Sequence, residues 1–154
     1  MNNKTLQKNL LTVGCIICGL SVALGAFAAH GLKDALKTEM LDVFETGVKY
    51  QFYHGLGILL LYAMQRRLHE SVLTRVFYLF ITGIIIFSGS LFILATRELT
   101  FGDILKPLGM ITPIGGLSFI IGWSYLGISG YKATEHTSKK HRNESPIDAN
   151  KEAA

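Results

Sequence analysis

Charge is missing from four long stretches of this chain. No Asp, Glu, Lys or Arg occurs in residues 10–29, 50–65, 76–96 or 107–131, which are runs of 20, 16, 21 and 25 residues. The 15 basic and 11 acidic residues crowd into the remainder, so a hydrophobic content of 49% hides two unlike populations. A soluble domain built on one core does not partition its charge in this way. A polytopic membrane protein does, because about 20 apolar residues cross ~30 Å of hydrocarbon. Cysteine is scarce as well: the two present form Cys15-Ile16-Ile17-Cys18, which excludes a disulfide framework. No carboxylate falls inside any uncharged window, which removes the Asp and Glu relays of pumps and transporters. H-E-x-x-H, G-x-x-x-x-G-K-[ST] and G-x-S-x-G are all absent. The expectation is a protein that is not an enzyme and that carries no cofactor and no metal.

The charge that is present supplies a topology. With segments assigned alternately to two sides, Lys4, Lys8, Arg66, Arg67, Arg75, Lys132, Lys139, Lys140, Arg142 and Lys151 share one side. The other holds Lys33, Lys37, Lys49, Arg97 and Lys106. Ten against five places both termini in the cytoplasm, in a plasma (inner) membrane. The net charge of +4 therefore flanks spans rather than forming a nucleic-acid face, and nucleic acid is excluded as a partner. The expected fold is all-α, an integral membrane four-helix bundle. Residues 1–9 are a cytoplasmic tail, the spans lie near 10–30, 48–65, 76–96 and 107–131, and 132–154 form a disordered basic cytoplasmic tail.

Lys4 and Lys8 followed by an apolar run ending in Ala26-Phe27-Ala28 resemble a cleavable signal. The 20-residue run exceeds an ordinary signal core of ~7 to 15 residues, so the reading is an uncleaved first span. Cys15 and Cys18 lie within it, where apolar burial leaves thiols inert, and they read as small packing residues. Cys18, Ser21, Gly25 and Ala29 make a stripe of small residues that faces the bundle.

Met40, Leu41, Phe44 and Val48 line one side of a helix, and Asp42, Glu45 and Lys49 the other. This segment is either a short amphipathic helix at the membrane interface that runs into span two or a partly buried connecting helix. Span two is short, and a re-entrant hairpin is its alternative. Pro113 is expected to kink the outer part of span four, and Trp123, Tyr125 and Tyr131 to form an aromatic belt near its cytoplasmic end.

Depth counting puts His30, Tyr50, Gln51, His54, Ser88, Ser90 and Thr112 in the outer half of the bundle as one polar patch. Tyr50, Gln51 and His54 share a helical sector by i, i+3 and i, i+4 spacing. His54 is the ionisable residue deepest in a span. Such a residue defaults to a functional reading, against which stands a neutral imidazole hydrogen-bonded to another helix.

Four segments, GAFAAHGL (25–32), YQFYHGLGILL (50–60), FSGSLF (87–92) and ITPIGG (111–116), followed by Gly122-Trp123, carry a family resemblance. In order and spacing they resemble the domain of unknown function 423 family, the YgdD-like small inner-membrane proteins, over roughly residues 10–131. The resemblance implies a compact four-helix membrane protein with no established activity or catalytic residue. Its pattern highlights His30, Tyr50, Gln51, His54, Ser88, Ser90, Thr112, Pro113, Gly115 and Gly116. Ala28 stands where relatives commonly have Gly, and Phe92 where Tyr is common. Gly25, Pro113, Gly115 and Gly116 read as packing or kink positions. The functional expectation is a structural or accessory protein whose partners are the bilayer and another membrane protein or a second copy. The alternative is a minimal transporter or binding protein for a small polar solute, cation or lipid head group, using His54 and its neighbours.

Overall fold

Within the described residues, each uncharged window is mostly helix. The computed structural model describes residues 3–100 and 109–143, and these fold into four antiparallel rods. The first is α1 (Asn3–Phe27), extended by a π-helical turn (Ala28–Leu32). The second is α2 (Thr38–Ala63). The third comprises α3 (Glu70–Gly83), a second π turn (Ile84–Ser88) and α4 (Gly89–Thr100). The fourth is α5 (Thr112–Asn143). Lys4–Leu32 and Glu70–Arg97 are each long and apolar enough to cross a membrane, with a mean hydropathy of 2.3. Their outer faces are apolar too: Val22 is 64% exposed and Ile85 67%. Such surface is stable against lipid and a liability in water.

The amphipathic segment and span two are one helix. At 1.5 Å per residue α2 is about 39 Å long, and its continuity leaves no room for a re-entrant hairpin. The apolar side of its first turns packs inward: Phe44 is buried with Ala28, Leu32 and Ala95, and its ring lies 4.8 Å from that of Phe92. Asp42 and Lys49 stay exposed, and Lys49 Nζ lies 3.5 Å from Glu45 Oε2. His69 starts α3, its ring nitrogen accepting from the Ser71 backbone N–H at 3.4 Å.

Small residues set the close α1–α2 contact. A Cβ on Gly55 would meet Cys18 Sγ at 2.8 Å, and one on Gly14 would meet Leu59 at 2.7 Å. Ser21 is buried and Gly25 faces Val48, as the stripe requires. Ala29 is a correction. It is exposed, and Ala28 and Leu32 are buried instead, because the wider π turn has a different angular step per residue. Cys18 packs, but Cys15 is exposed.

Three expectations about span four are also corrected. Residues 107–108 lie outside the described residues, and the α-helix begins only at Thr112. Pro113 produces no kink, because it lies in the first turn, where its missing N–H has no intrahelical partner to lose. The helix also continues past Tyr131 to Asn143, so the first half of the expected disordered tail is helical. Extending an existing helix needs no new nucleus, and Lys, Ala and Glu favour it. Residues 144–154 lie outside the described residues.

Candidate functional site

His54 sits on α2 where three rods meet, and it is only 4% exposed. Its Nδ1 is 2.7 Å from the Tyr50 carbonyl oxygen, and its Nε2 is 3.2 Å from Trp123 Nε1 on α5. A carbonyl can only accept and an indole N–H can only donate. The network therefore assigns the proton to Nδ1 and leaves the Nε2 lone pair to receive Trp123. That is a neutral imidazole with both nitrogens engaged. The ring stacks on Phe119 with centroids 3.4 Å apart at 11°, and meets Phe80 of α3 edge-on at 5.3 Å. Edge-to-face and stacked pairs of this kind add about 0.5–1.5 kcal/mol beyond buried area.

Ser90 and Thr112 make a separate clasp. Ser90 Oγ donates to the Phe87 carbonyl at 2.9 Å, so the 2.7 Å contact with Thr112 runs from the Thr112 hydroxyl to Ser90 Oγ. It ties α4 to the first turn of α5. Thr112 and Trp123 are eleven residues apart on α5, about 16 Å at 1.5 Å per residue. Gln51 forms a third link, in which its Nε2 donates to the Ile17 carbonyl of α1 at 3.4 Å.

The single outer-half patch is therefore corrected to distinct clasps at different levels and on different seams. Gly83 packs on Phe119, which stacks on His54, so the histidine lies short of the midpoint of the 76–96 window, while Ser88 and Ser90 lie beyond it. Gln51 and His54 face different helices because three residues of α-helix leave them about 60° apart and the seam runs between them. Tyr50 remains with His54, its ring 4.6 Å from Phe87. His30 does not join: it is exposed on the π turn and its Nδ1 lies 3.0 Å from the Ala26 carbonyl of its own helix. Ser88 is fully buried, and its Oγ has no hydrogen-bond partner among the described residues.

The sequence reading missed three contacts. Trp123, placed in the aromatic belt, instead turns its indole N–H into the bundle. Ser118 donates to the Leu79 carbonyl at 2.8 Å, a further α5–α3 bond that a serine on a glycine-rich helix face could have signalled. Arg75 Nη1 donates to the Tyr125 hydroxyl at 3.0 Å, joining α5 to the start of the third rod. A groove of about 520 Å³ opens between α2 and α5, lined by Tyr50, Tyr53, His54, Phe87, Phe119, Ile120 and Trp123 among others. Its walls are aromatic, and the buried imidazole that faces it has no free nitrogen. Among the described residues no three His, Cys, Asp or Glu gather as a metal site.

The family model described as "Protein of unknown function (DUF423)" matches residues 24–116. A UPF0382 membrane protein of Staphylococcus haemolyticus is 41% identical over 126 residues, covering 82% of this chain and 98% of the relative. The UPF0382 membrane protein YwdK of Bacillus subtilis is 37% identical over 127 residues, with 82% and 98% coverage. A UPF0382 membrane protein of Haemophilus influenzae is 36% identical over 134 residues, with 86% and 98% coverage. No solved structure matches the chain. The match spans the His30 turn, both ends of the Ser90–Thr112 clasp and the whole of α2 with His54, and this all-α membrane protein belongs to the DUF423 family of proteins of unknown function.

Proposed function

We propose that the protein is a structural or accessory component of the plasma membrane, not an enzyme, with four crossings and both termini cytoplasmic. The observation that carries this reading is the engagement of five intramembrane polar side chains, with Ser88 Oγ left unpartnered among the described residues. His54, Gln51, Ser90, Thr112 and Ser118 each bond to a neighbouring rod. A transport or catalytic site needs polar groups that converge on open space; here they are engaged one by one on separate seams between rods. The surface left for a partner is apolar helix, suited to another membrane protein or a second copy.

Proteoliposomes test the functional half. Wild type is expected to show no solute or proton flux above protein-free vesicles, while His54→Ala lowers folding stability in detergent. Flux in wild type that disappears in a stably folded His54→Ala variant would overturn the structural reading.

Single cysteines test the topology. In a background without Cys15 and Cys18, Ala35→Cys is expected to react with a membrane-impermeant maleimide in intact cells, and His69→Cys only after permeabilisation. The reverse pattern would invert the orientation, and reaction of both in intact cells would remove the crossing by α2.

A further inference from the structure

We propose that the cavity between the α2–α3 turn and the C-terminal half of α5 binds the phosphate of an anionic phospholipid, held by Arg66 and Arg67. The cavity measures about 520 Å³. The turn contributes Met64, Arg66, Arg67 and Leu68, and α5 contributes Gly130, Ala133 and Thr134. The proposal rests on the multi-pass placement above, which sets the depth of this cavity. Arg66 follows the second uncharged window, Arg75 precedes the third and Lys132 follows the fourth. Three rods thus change from apolar to charged around one level, where headgroups lie.

The turn presents its arginines on a fixed backbone. Arg67 N–H donates to the Met64 carbonyl at 2.9 Å and Leu68 N–H to the same oxygen at 3.1 Å, and Leu68 is buried in the main core. Arg66 and Arg67 are exposed, and neither guanidinium group has an ion pair or hydrogen bond among the described residues. Two guanidinium groups on adjacent residues, each a planar fork of donors, match phosphate oxygens. Near the lining residues in sequence, Arg75 and Lys132 offset Glu70 and Glu135, His69 stands at the end of the turn, and Arg66 and Arg67 leave the sum positive. Met64, Leu68 and Ala133 supply apolar wall, which suits the glycerol and first methylenes of a lipid better than a free inorganic ion. Basic pockets between helices on the cytoplasmic side are a recurring form of headgroup recognition.

The test uses the purified full chain in mild detergent, offered equal phosphatidylglycerol and phosphatidylcholine, with retained lipid counted by native mass spectrometry. Wild type is expected to retain phosphatidylglycerol over phosphatidylcholine by about tenfold or more, and millimolar inorganic phosphate is expected not to displace it. The Arg66→Gln, Arg67→Gln double variant is expected to lose the preference with an unchanged unfolding midpoint in phosphatidylcholine. Gly130→Leu separates a shaped site from diffuse attraction. A Cβ there has only Met64 Cε near it, at 3.9 Å, so the side chain fills the cavity and leaves both arginines charged. It too is expected to lose the preference. Equal retention of the two lipids by wild type, or a preference that survives Gly130→Leu, overturns the site. Displacement by inorganic phosphate overturns the lipid and assigns the same arginines to free phosphate. An inverted maleimide pattern at residue 69 would reject the orientation while leaving the detergent result standing, so the two failures are distinguishable.

Discussion

Gly115→Ala destabilises the bundle by about 1–3 kcal/mol, while Gly116→Ala, one residue later, leaves it unchanged or raises its stability by about 0.4–1 kcal/mol. The two glycines sit in the same turn of α5 and differ only in direction. A Cβ at Gly115 would lie 2.5 Å from the Phe87 backbone nitrogen and 2.9 Å from its Cα. Backbone cannot rotate away, so the third and fourth rods would have to separate where the π turn (Ile84–Ser88) brings them together. At Gly116 the nearest atom is the Phe87 Cδ2 at 3.6 Å, an ordinary contact. There the added methyl reduces the freedom of the unfolded chain and raises helix propensity. Unfolding midpoints of both purified variants in one detergent check this, and equal midpoints would mean that α5 does not approach the π turn at Phe87 this closely. Separation at Gly115 also strains the Ser90–Thr112 clasp one turn away, since its 2.7 Å hydrogen bond tolerates little displacement.

Legibility in the sequence followed physical constraint. Each rod was visible because hydrocarbon tolerates no unpaired charge over its thickness, which forces long uncharged windows whatever the rest of the fold does. The α1–α2 seam was visible through Cys18, Ser21 and Gly25, because close approach demands small side chains at helical spacing. The apolar face around Phe44 was visible for the same kind of reason. What stayed hidden depends on which helix lies opposite. Counting places Gln51 and His54 in one sector, but a seam passing between them sends one to α1 and the other to α5. Trp123 matches an interfacial anchor in composition and position, and only a histidine across the bundle turns it inward. Neither π turn has a residue signature, so the exchange of Ala29 for Ala28 at the core could not be counted. Pro113 was misread because its effect depends on the helix start, which hydropathy does not mark.

His54→Ala is expected to cost on the order of 3 kcal/mol or more, the largest single loss from the bundle. Three effects act together. The ring stacked on Phe119 at 3.4 Å and edge-on to Phe80 disappears, leaving a void whose walls lose their contacts. The Trp123 N–H loses its acceptor, and a buried unsatisfied donor costs about 1–3 kcal/mol. The only side-chain hydrogen bond between α2 and α5 among the described residues is removed at the same time. The cavity and hydrogen-bond contributions separate in a double-mutant cycle of His54→Phe and Trp123→Phe. Phenylalanine at 54 keeps an aromatic ring for Phe119 and Phe80 while deleting the acceptor, and Trp123→Phe deletes the donor. A coupling energy of about 0.6–2 kcal/mol is expected for the hydrogen bond, with the balance of the alanine effect due to packing. Zero coupling, together with a wild-type unfolding midpoint for His54→Ala, would deny His54 its role as the clasp between α2 and α5. Its burial would then call for a functional account. A positive coupling makes the neutral Nδ1–H imidazole part of the scaffold. The α2–α5 groove beside it is then held open by the same contact, because Trp123 and Phe119 form its wall only while the histidine anchors them.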